Sequence, residues 1–387
     1  MRSSNKIAVC NPNKGVVSGG VLFCGVSVFS VLAMFGVSVA VTPALAASVL
    51  PNDSYYSYEG EDTGLKNKMG QEISRGVVGQ TTRAIGNRVS TALTGRGNRG
   101  GASQSSEHVA HVESSGVSGG GGLGKFGVWG NVSYLQLSNS NATVGYAGHS
   151  VNGLVGGDFL YNDMFMGGVA FGYENVNLTP YLSSLSDTDG FTISPYVGAK
   201  FFGGRVVVDA LFGYTWLDGR GSANRDVPLA SGSYTSKGSR VSAATNVTYN
   251  QFFSDWTLSP SVGVTFAHQN VDGYTYRNSL NVPVSITRGL SYVLDLKAGA
   301  RLAYNYKDIE LYTSHYYLYD LVPLFAKSGK TTTGLGISSI DRDEFLSTLG
   351  VSYFYNDNVS GSLEASSSFG RREVGNNVLL GSVRVTF

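Results

Sequence analysis

The sequence predicts an all-β protein: a closed antiparallel 12-stranded transmembrane β-barrel with an N-terminal amphipathic helix inside its lumen. Three observations support this prediction. The 387 residues include 52 glycines, 23 tyrosines and 19 phenylalanines, yet only 14% are charged, against roughly 25% in soluble domains. Apolar and polar residues alternate from about residue 125 onward, and no run there approaches the roughly 20 apolar residues of a membrane-spanning helix. The chain ends in an aromatic residue, Phe387.

Composition and charge also exclude several classes of protein. A formal net charge of +1 gives no indication of nucleic-acid binding. Nine prolines are too few for a collagen-like or proline-rich chain. The low charged fraction argues against an ordinary cytosolic enzyme.

Residues 1–47 are predicted to be a secretory signal peptide. They contain three basic residues, no acidic residue and an apolar stretch at 20–41. Ala44 and Ala46 supply the small side chains that a signal peptidase requires in its cleavage region. A retained membrane anchor is the alternative interpretation. Both cysteines lie in this segment, so the mature chain would contain no thiol, and its 25 basic and 27 acidic residues would leave a net charge of −2.

Residues 48–123 are predicted to be a linker that contains one amphipathic helix at about 63–94 and then a Gly/Ser-rich segment. Mostly apolar residues recur every four positions along one helical stripe: Leu65, Met69, Ile73, Val77, Thr81, Ile85, Val89 and Leu93. Basic residues fall between them: Lys66, Lys68, Arg75, Arg83 and Arg88. Four glycines inside the segment each destabilise a helix by about 1 kcal/mol relative to alanine. We therefore expect this helix to need surrounding protein.

Residues 124–387 are predicted to form the barrel, because the hydrophobic period changes to two. Residues 191–201 show the pattern, with Phe, Ile, Pro, Val and Ala on one face and Thr, Ser, Tyr, Gly and Lys on the other. Twelve alternating segments are separated by turn signals: 125–138, 149–162, 165–179, 189–202, 205–218, 236–252, 256–270, 287–305, 308–321, 342–356, 359–371 and 376–387. Twelve is even, as in closed single-chain bacterial barrels.

The polar face is predicted to line the lumen, since its residues are mostly small and are interspersed with charges. A soluble sandwich is the alternative, but it would place large residues on its inner faces and frequent Lys or Glu outside. The charged residues assigned to the lumen are Asp158, Glu174, Lys200, Asp209, Asp295, Lys297, Arg301, Glu364 and Arg384. Their structural interpretation is a mixed-charge interior that holds the basic helix. Their functional interpretation is a catalytic carboxylate pair or an ion filter.

Turn lengths alternate along the barrel sequence. Short turns such as 162–163, 203–204 and 307–308 alternate with long stretches around 219–235 and 322–341. Short turns belong on the periplasmic side and long loops outside the cell. This pattern leaves open the end from which the helix enters.

The last strand must pair with the first, since unpaired backbone amides in hydrocarbon each cost several kcal/mol. Its apolar row includes Leu379, Val383, Val385 and the terminal Phe387. Val383, Val385 and Phe387 are similar to the C-terminal insertion signal of Gram-negative outer-membrane barrels.

Three stretches resemble the translocator domain of type V secretion autotransporters. They are Phe126-Gly127-Val128-Trp129-Gly130, Ile193-Ser194-Pro195-Tyr196-Val197-Gly198, and Leu258-Ser259-Pro260-Ser261-Val262-Gly263-Val264 with Asp272-Gly273-Tyr274 downstream. Their order is more specific than any one of them, and about 260 residues are covered. The resemblance implies a twelve-stranded outer-membrane barrel with a helix through its lumen. It also implies outer-membrane lipid, lipopolysaccharide, the barrel assembly machinery and periplasmic chaperones as partners.

Two departures limit what this resemblance implies. Autotransporters display a large passenger before the barrel, whereas about 75 residues lie between the predicted cleavage site and the first strand, so we expect no large passenger. The Asn-Asn pair at which some members cut themselves is replaced by Asp62-Thr63. We therefore expect no self-cleavage.

No candidate site for chemistry emerges from the residue pattern, and we predict no enzyme activity, cofactor or metal. The five histidines show no metal-binding spacing with a supporting carboxylate: His108, His111, His149, His268 and His315. Ser314 and His315 are adjacent on a strand and face opposite sides, so they cannot act as nucleophile and base.

The predicted function is a non-enzymatic translocator-like barrel or a surface antigen or adhesin, with an unknown host or surface ligand. The alternative is a porin-like diffusion channel with an open lumen and the helix outside. A third hypothesis is export of a short peptide, residues 48–62.

Overall fold

The computed structural model describes 60–94, 125–140, 145–180, 186–223, 232–321, 342–356, 358–371 and 374–387, with helix side chains from 69 onward. The predicted signal peptide, including Ala44 and Ala46, and the Gly/Ser-rich segment with His108 and His111 lie outside the described residues. The side chains of Asp62, Lys66 and Lys68 do so as well.

The described chain contains one α-helix, α1 (Gly60–Thr94), and a series of strands. The predicted helix at about 63–94 is therefore present and begins three residues earlier. The strands are β1 (Lys125–Asn139), β2 (Tyr146–Tyr161), β3 (Phe165–Pro180), β4 (Ser186–Phe201), β5 (Val206–Ala223), β6 (Gly232–Tyr249), β7 (Gln251–Phe253), β8 (Trp256–Val271), β9 (Tyr274–Arg277), β10 (Pro283–Ile286), β11 (Gly289–Tyr306), β12 (Ile309–Asp320), β13 (Asp343–Phe354), β14 (Val359–Phe369) and β15 (Val374–Thr386).

Twelve of these strands close into a ring, which confirms the predicted fold. The ring runs from β1 to β6, then through β8 and β11 to β15, and every neighbouring pair is antiparallel. β15 returns to β1 over thirteen residues, from Gly127 opposite Thr386 to Asn139 opposite Val374. β7 adds a short pairing to the end of β8, while β9 and β10 form a separate hairpin. The closed ring leaves no long edge strand among the described residues.

Alternation along each strand separates an exposed apolar face from a buried, mostly polar one. On β1 and β13 the exposed row includes Val132 and Leu349, whose side chains are 63% and 69% exposed. The residues next to them in sequence, Ser133 and Thr348, are buried. Exposed aromatic residues lie near both ends of the barrel: Phe126, Tyr161, Phe165, Phe202, Trp256 and Tyr306 at one end, and Tyr134, Tyr173, Phe191, Trp216, Phe345 and Phe369 at the other. Two such girdles flank the lipid-facing band of a membrane barrel.

One end of the barrel carries only tight turns in its described connections. Asn162 and Asp163 turn β2 into β3 with φ of 49° each, and Lys307 turns β11 into β12 with φ of 51°. Asn and Asp are the residues that adopt this left-handed conformation most readily after glycine. The C-terminus lies at the same end. We call it the short-turn end and the opposite end, which bears β9 and β10, the long-loop end.

α1 runs through the lumen from the long-loop end to the short-turn end. Near its N-terminus, the Gln71 side chain donates a hydrogen bond to Asp320, the last residue of β12. Near its C-terminus, Arg88 pairs with Asp158, which lies three residues before β2 enters its short turn. At 35 residues, α1 is about 52 Å long. No helix among the described residues combines the length and the apolar composition of a membrane-spanning helix.

The terminal residue provides a first test of the assigned faces. Phe387 is 67% exposed and its backbone N–H donates a hydrogen bond to the carbonyl of Phe126, whereas Thr386 lies on the opposite face of β15. We expect Phe387→Ser to reduce the assembled fraction in outer membranes strongly, and Thr386→Ser to leave it close to wild type, because only the first change removes a lipid-facing aromatic group. Heat-modifiable migration on gels measures that fraction. Equal assembly of the two variants would contradict the assignment.

Candidate functional site in the barrel lumen

Apolar side chains join α1 to the barrel wall at two levels. Toward the short-turn end, Ile85, Val89 and Leu93 are buried against a cluster that includes Trp129 and Tyr196. Toward the long-loop end, Val77 packs among wall residues: Leu135, Leu137, Tyr146, Val176, Leu178, Val378 and Leu380. The lumen is therefore less uniformly polar than the sequence analysis predicted, because the apolar stripe of the helix packs against apolar wall residues there.

Arg75 is the centre of an ion-pair network in the long-loop half of the lumen. Its Nε and Nη2 atoms donate to the two oxygens of Asp295 at 2.8 and 3.0 Å. Nη2 also donates to Asp320 at 2.8 Å, and Nη1 to Glu72 at 3.0 Å. The Arg75 and Asp295 side chains are each only 6% exposed. A two-point arginine–carboxylate pair fixes orientation as well as charge, so this contact sets the rotation and height of α1.

Glu72 extends the network along the wall to β13 and to the end of β14. Arg371, which follows β14, donates from Nη1 to both oxygens of Glu72 at 2.9 and 2.8 Å. The Nε atom of Arg371 lies 3.0 Å from a carboxylate oxygen of Glu344 on β13. One turn of α1 is thus tied to three separate strands or strand ends.

Arg88 forms the second anchor, in the short-turn half. It makes a two-point contact with Asp158 on β2, in which Nε donates at 2.6 Å and Nη2 donates to the second oxygen. The hydroxyl of Tyr196 donates to Asp158 at 2.9 Å, and the indole N–H of Trp129 donates to that hydroxyl at 2.7 Å. Strands β1, β2 and β4 therefore hold one carboxylate in place for the helix.

Two glycines of the wall make room for charged side chains in the lumen. A Cβ atom on Gly127 of β1 would lie 2.3 Å from Nη2 of Arg88. On β4, a Cβ atom on Gly190 would lie 2.5 Å from the Cγ of Glu174. Real Cβ atoms do not approach other atoms so closely, so an alanine at either position would displace a charged side chain from its partner.

The helix and wall make further polar contacts between the two anchors and beside the first of them. Asn87 donates to Glu364 at 2.5 Å, and Arg83 donates to the hydroxyl of Ser366 on the same strand. Ser74 donates to the side-chain oxygen of Gln269 at 2.8 Å. These bonds cover a helix surface that would otherwise leave buried polar groups unsatisfied.

The other predicted lumenal charges lie on the same row of the wall but bind wall residues. Glu174 is paired with Arg240 of β6, and Asp209 accepts a hydrogen bond from Asn246 at 2.8 Å. Arg301 donates to Glu310 at 2.7 Å and lies 3.9 Å from the ring centroid of Tyr312. The amine of Lys297 lies 5.0 Å from the ring centroid of Tyr316, and Nε of Arg384 donates to the hydroxyl of Thr386 at 3.1 Å. Lys200 is half-buried and lies two residues after the buried Gly198, on the same face of β4.

Several charged residues of the network are missing from the sequence-based set: Glu72, Arg240, Glu310, Asp320, Glu344 and Arg371. Arg240 and Glu344 fall on buried positions of β6 and β13. Strand alternation alone assigns these two to the lumen once the register of each strand is known. Glu72, on the helix, would have needed a helical-wheel comparison with Arg75.

The structure also locates the residues considered for chemistry. Ser314 is buried toward the lumen, whereas the exposed His315 binds Ser347 at 2.9 Å on the outer face. Within the described ranges, no group of three or more His, Cys, Asp or Glu side chains is arranged to hold a metal ion.

Known proteins of similar sequence and structure agree with this architecture. Residues 128–366 match the autotransporter beta-domain family model. The structure is similar to the translocator domain of the autotransporter NalP from Neisseria meningitidis, with a TM-score of 0.57 and 15% identity over 68% of this chain and 88% of that one.

Two further solved structures show the same fold. The beta domain of the Bordetella autotransporter BrkA gives a TM-score of 0.55 and 13% identity over 68% of this chain and all of that one. The transport unit of AIDA-I from Escherichia coli gives 0.51 and 16% over 67% and 90%. No curated protein matches the chain by sequence. The chain belongs to the autotransporter beta-domain family and is an integral β-barrel protein of the Gram-negative outer membrane.

Proposed function

We propose that this barrel exports its own short N-terminal segment, stays plugged by α1, and acts at the cell surface as a non-enzymatic antigen or adhesin. The main support for this proposal is the direction in which α1 runs through the lumen. Its N-terminal half binds Asp320 and Arg371 at the long-loop end, and its C-terminal half binds Asp158 near the short turns. Long loops face the cell exterior in outer-membrane barrels. We therefore propose that the chain before Gly60 is exported to the outside.

The proposed cargo is small. If the signal peptide is removed at its predicted site, residues 48–59 precede α1. This segment contains three tyrosines and two acidic residues. We propose that it is displayed together with the surface loops, and that the helix remains in the lumen as the end point of export.

The contacts of the lumenal carboxylates support a structural role for them. Asp158 and Asp295 are held by Arg88 and Arg75 of α1, and Glu174 is held by Arg240. Carboxylates held by arginines are poor candidates for a catalytic acid–base pair, which needs one group to exchange protons with a substrate. We therefore propose the mixed-charge grip on the helix as their function.

The diffusion-channel alternative has less support. It requires an open lumen with the helix outside, whereas α1 lies inside and is anchored to the wall through Arg75 and Arg88. A cavity of about 90 Å³ remains beside the helix, which is room for several water molecules. A cavity of this size is too small for the diffusion of nutrients.

An epitope inserted after Tyr55 tests the proposal. On intact cells we expect added protease to remove this epitope, because export leaves it outside the membrane. An identical epitope between Asn162 and Asp163, in a short turn, is the matched control and should be lost only after the outer membrane is permeabilised. Protection of the Tyr55 epitope on intact cells, with the barrel correctly assembled, would refute the proposed direction of export.

A further inference from the structure

A cavity of about 90 Å³, lined by both polar and apolar side chains, lies beside the C-terminal third of α1. Ala84 to Thr91 of the helix form one side, and β1 and β11 to β15 form the other. Phe354 and Ser360, which flank the short turn between β13 and β14, are part of its lining. The cavity therefore lies in the periplasmic half of the lumen.

One buried donor of Arg88 has no partner in this cavity wall. Nε and Nη2 of Arg88 are bound to Asp158, but Nη1 is buried and makes no hydrogen bond within the described part of the chain. The Arg88 side chain is only 6% exposed. A guanidinium group has five N–H donors, and leaving a buried charged donor unsatisfied costs more than leaving a neutral one. A hydrogen-bond acceptor bound in the cavity would satisfy Nη1 of Arg88.

A second guanidinium group in the same wall lacks a carboxylate partner. Arg384 of β15 lines the cavity, and its Nε donates to the hydroxyl of Thr386 at 3.1 Å. Among the described residues, no carboxylate forms a salt bridge with Arg384. The other charged groups of the lining are compensated by opposite charges: Arg301 is paired with Glu310, and the carboxylate of Glu364, which accepts from Asn87, interacts electrostatically with Arg83 of α1. The cavity wall thus carries an uncompensated positive charge.

Four hydroxyl groups elsewhere in the lining suit an oxygen-rich ligand. Ser362 and Ser382 lie on adjacent strands of the wall, with their hydroxyl oxygens 2.6 Å apart. Ser90 and Thr91 add hydroxyl groups from the helix side. Hydroxyl groups donate to anionic oxygens and also accept from each other, so they adapt to a small polar ligand.

We propose that this cavity binds a small inorganic oxyanion, such as phosphate or sulfate, between Arg88 and Arg384. An oxyanion supplies acceptors for both guanidinium groups at once, and hydrogen bonds between ionised partners are about twice as strong as neutral ones. The C-terminal end of a helix carries roughly half a negative charge, which opposes an anion. The full positive charge of Arg384 outweighs it.

The proposed anion site is formed jointly by the helix and the barrel wall. Arg88 belongs to α1 and Arg384 to the last barrel strand, so the anion site exists only while the helix is in the lumen. A ligand that binds the folded, plugged state and not the unfolded chain stabilises that state. Periplasmic phosphate would then hold the C-terminal part of the helix against β15.

Thermal unfolding of the folded, full-length mature protein in detergent tests this proposal. Inorganic phosphate is added at constant ionic strength with gluconate as the balancing anion. Wild type should show a saturable rise in its unfolding temperature, and Arg384→Gln should lose that rise. Arg220→Gln is the matched control, because Arg220 is an exposed surface arginine outside the cavity, and it should respond like wild type. The general stabilising effect of phosphate as a solute acts on all three proteins equally.

A second variant at Arg384 and a direct measurement of phosphate binding complete the test. Arg384→Lys retains the charge without the fork of donors, and its response should saturate at a several-fold higher phosphate concentration. The ³¹P NMR signal of inorganic phosphate should broaden with wild type and less with Arg384→Lys. Equal temperature rises in wild type and Arg384→Gln, or no broadening with wild type, would show an adventitious ion only and would overturn the proposal.

Discussion

Deletion of residues 60–94 is expected to convert the barrel into an open pore. α1 packs against the lumen wall from Met69 to Leu93, and its Ile85, Val89 and Leu93 side chains are buried there. A helix with its side chains is about 10–12 Å wide, so its removal should leave a water-filled channel of that order. Planar-bilayer recording should show a large rise in single-channel conductance over the intact protein.

Folding of the deleted protein is checked independently. Heat-modifiable migration and strand-rich circular dichroism should both persist, since the twelve-strand ring closes through β1 and β15 without the helix. The control is Arg220→Ala, which changes a surface arginine and should conduct like wild type. A folded deletion variant whose conductance equals that of the intact protein would show that α1 is not the plug.

Replacement of Arg75 by alanine is expected to destabilise the folded barrel by about 3–5 kcal/mol. The substitution leaves the buried carboxylates of Asp295 and Asp320 without their arginine. Breaking a buried pair by removing one partner has an effect of this size because an uncompensated charge remains in a poorly hydrated site. The free energy of unfolding can be measured by denaturant titration of the protein in lipid vesicles.

Two further variants distinguish the buried charge from a general loss of packing. Arg220→Ala breaks the exposed pair with Asp189, and exposed pairs are worth only about 0–1 kcal/mol. The double variant Arg75→Met with Asp295→Asn removes both charges and should recover part of the lost stability. A loss for Arg75→Ala no larger than that for Arg220→Ala would contradict the anchoring role.

The strands were predictable because each carries its own signal. A lipid-facing residue must be apolar and its neighbour must suit a packed or hydrated lumen. Each strand therefore shows the two-residue alternation of apolar and polar residues in its own sequence. All twelve predicted segments correspond to ring strands. Their ends agree within five residues: β1 was predicted to end at 138 and ends at Asn139, whereas β5 was predicted to end at 218 and ends at Ala223. Closure followed from the cost of unpaired backbone in hydrocarbon.

The partners of the lumenal charges were not predictable in the same way. Arg75 meets Asp295 across 220 positions of sequence, and Arg371 meets Glu72 across 299. These pairings depend on the register of twelve strands and on the rotation of α1, which no local pattern encodes. The apolar wall around Trp129 and Tyr196 escaped prediction for the same reason, since its residues share a face only after the ring has closed.

The sequence by itself determined the barrel, its number of strands, its lipid-facing surface and the presence of a basic amphipathic helix. These properties follow from short-range periodicity, which the bilayer imposes on every spanning segment. Only the tertiary structure decided that α1 enters with its N-terminus at the long-loop end, which arginines anchor it, and where a positively charged cavity remains. Those features arise from contacts between residues far apart in the chain, and their energies depend on which groups burial brings together.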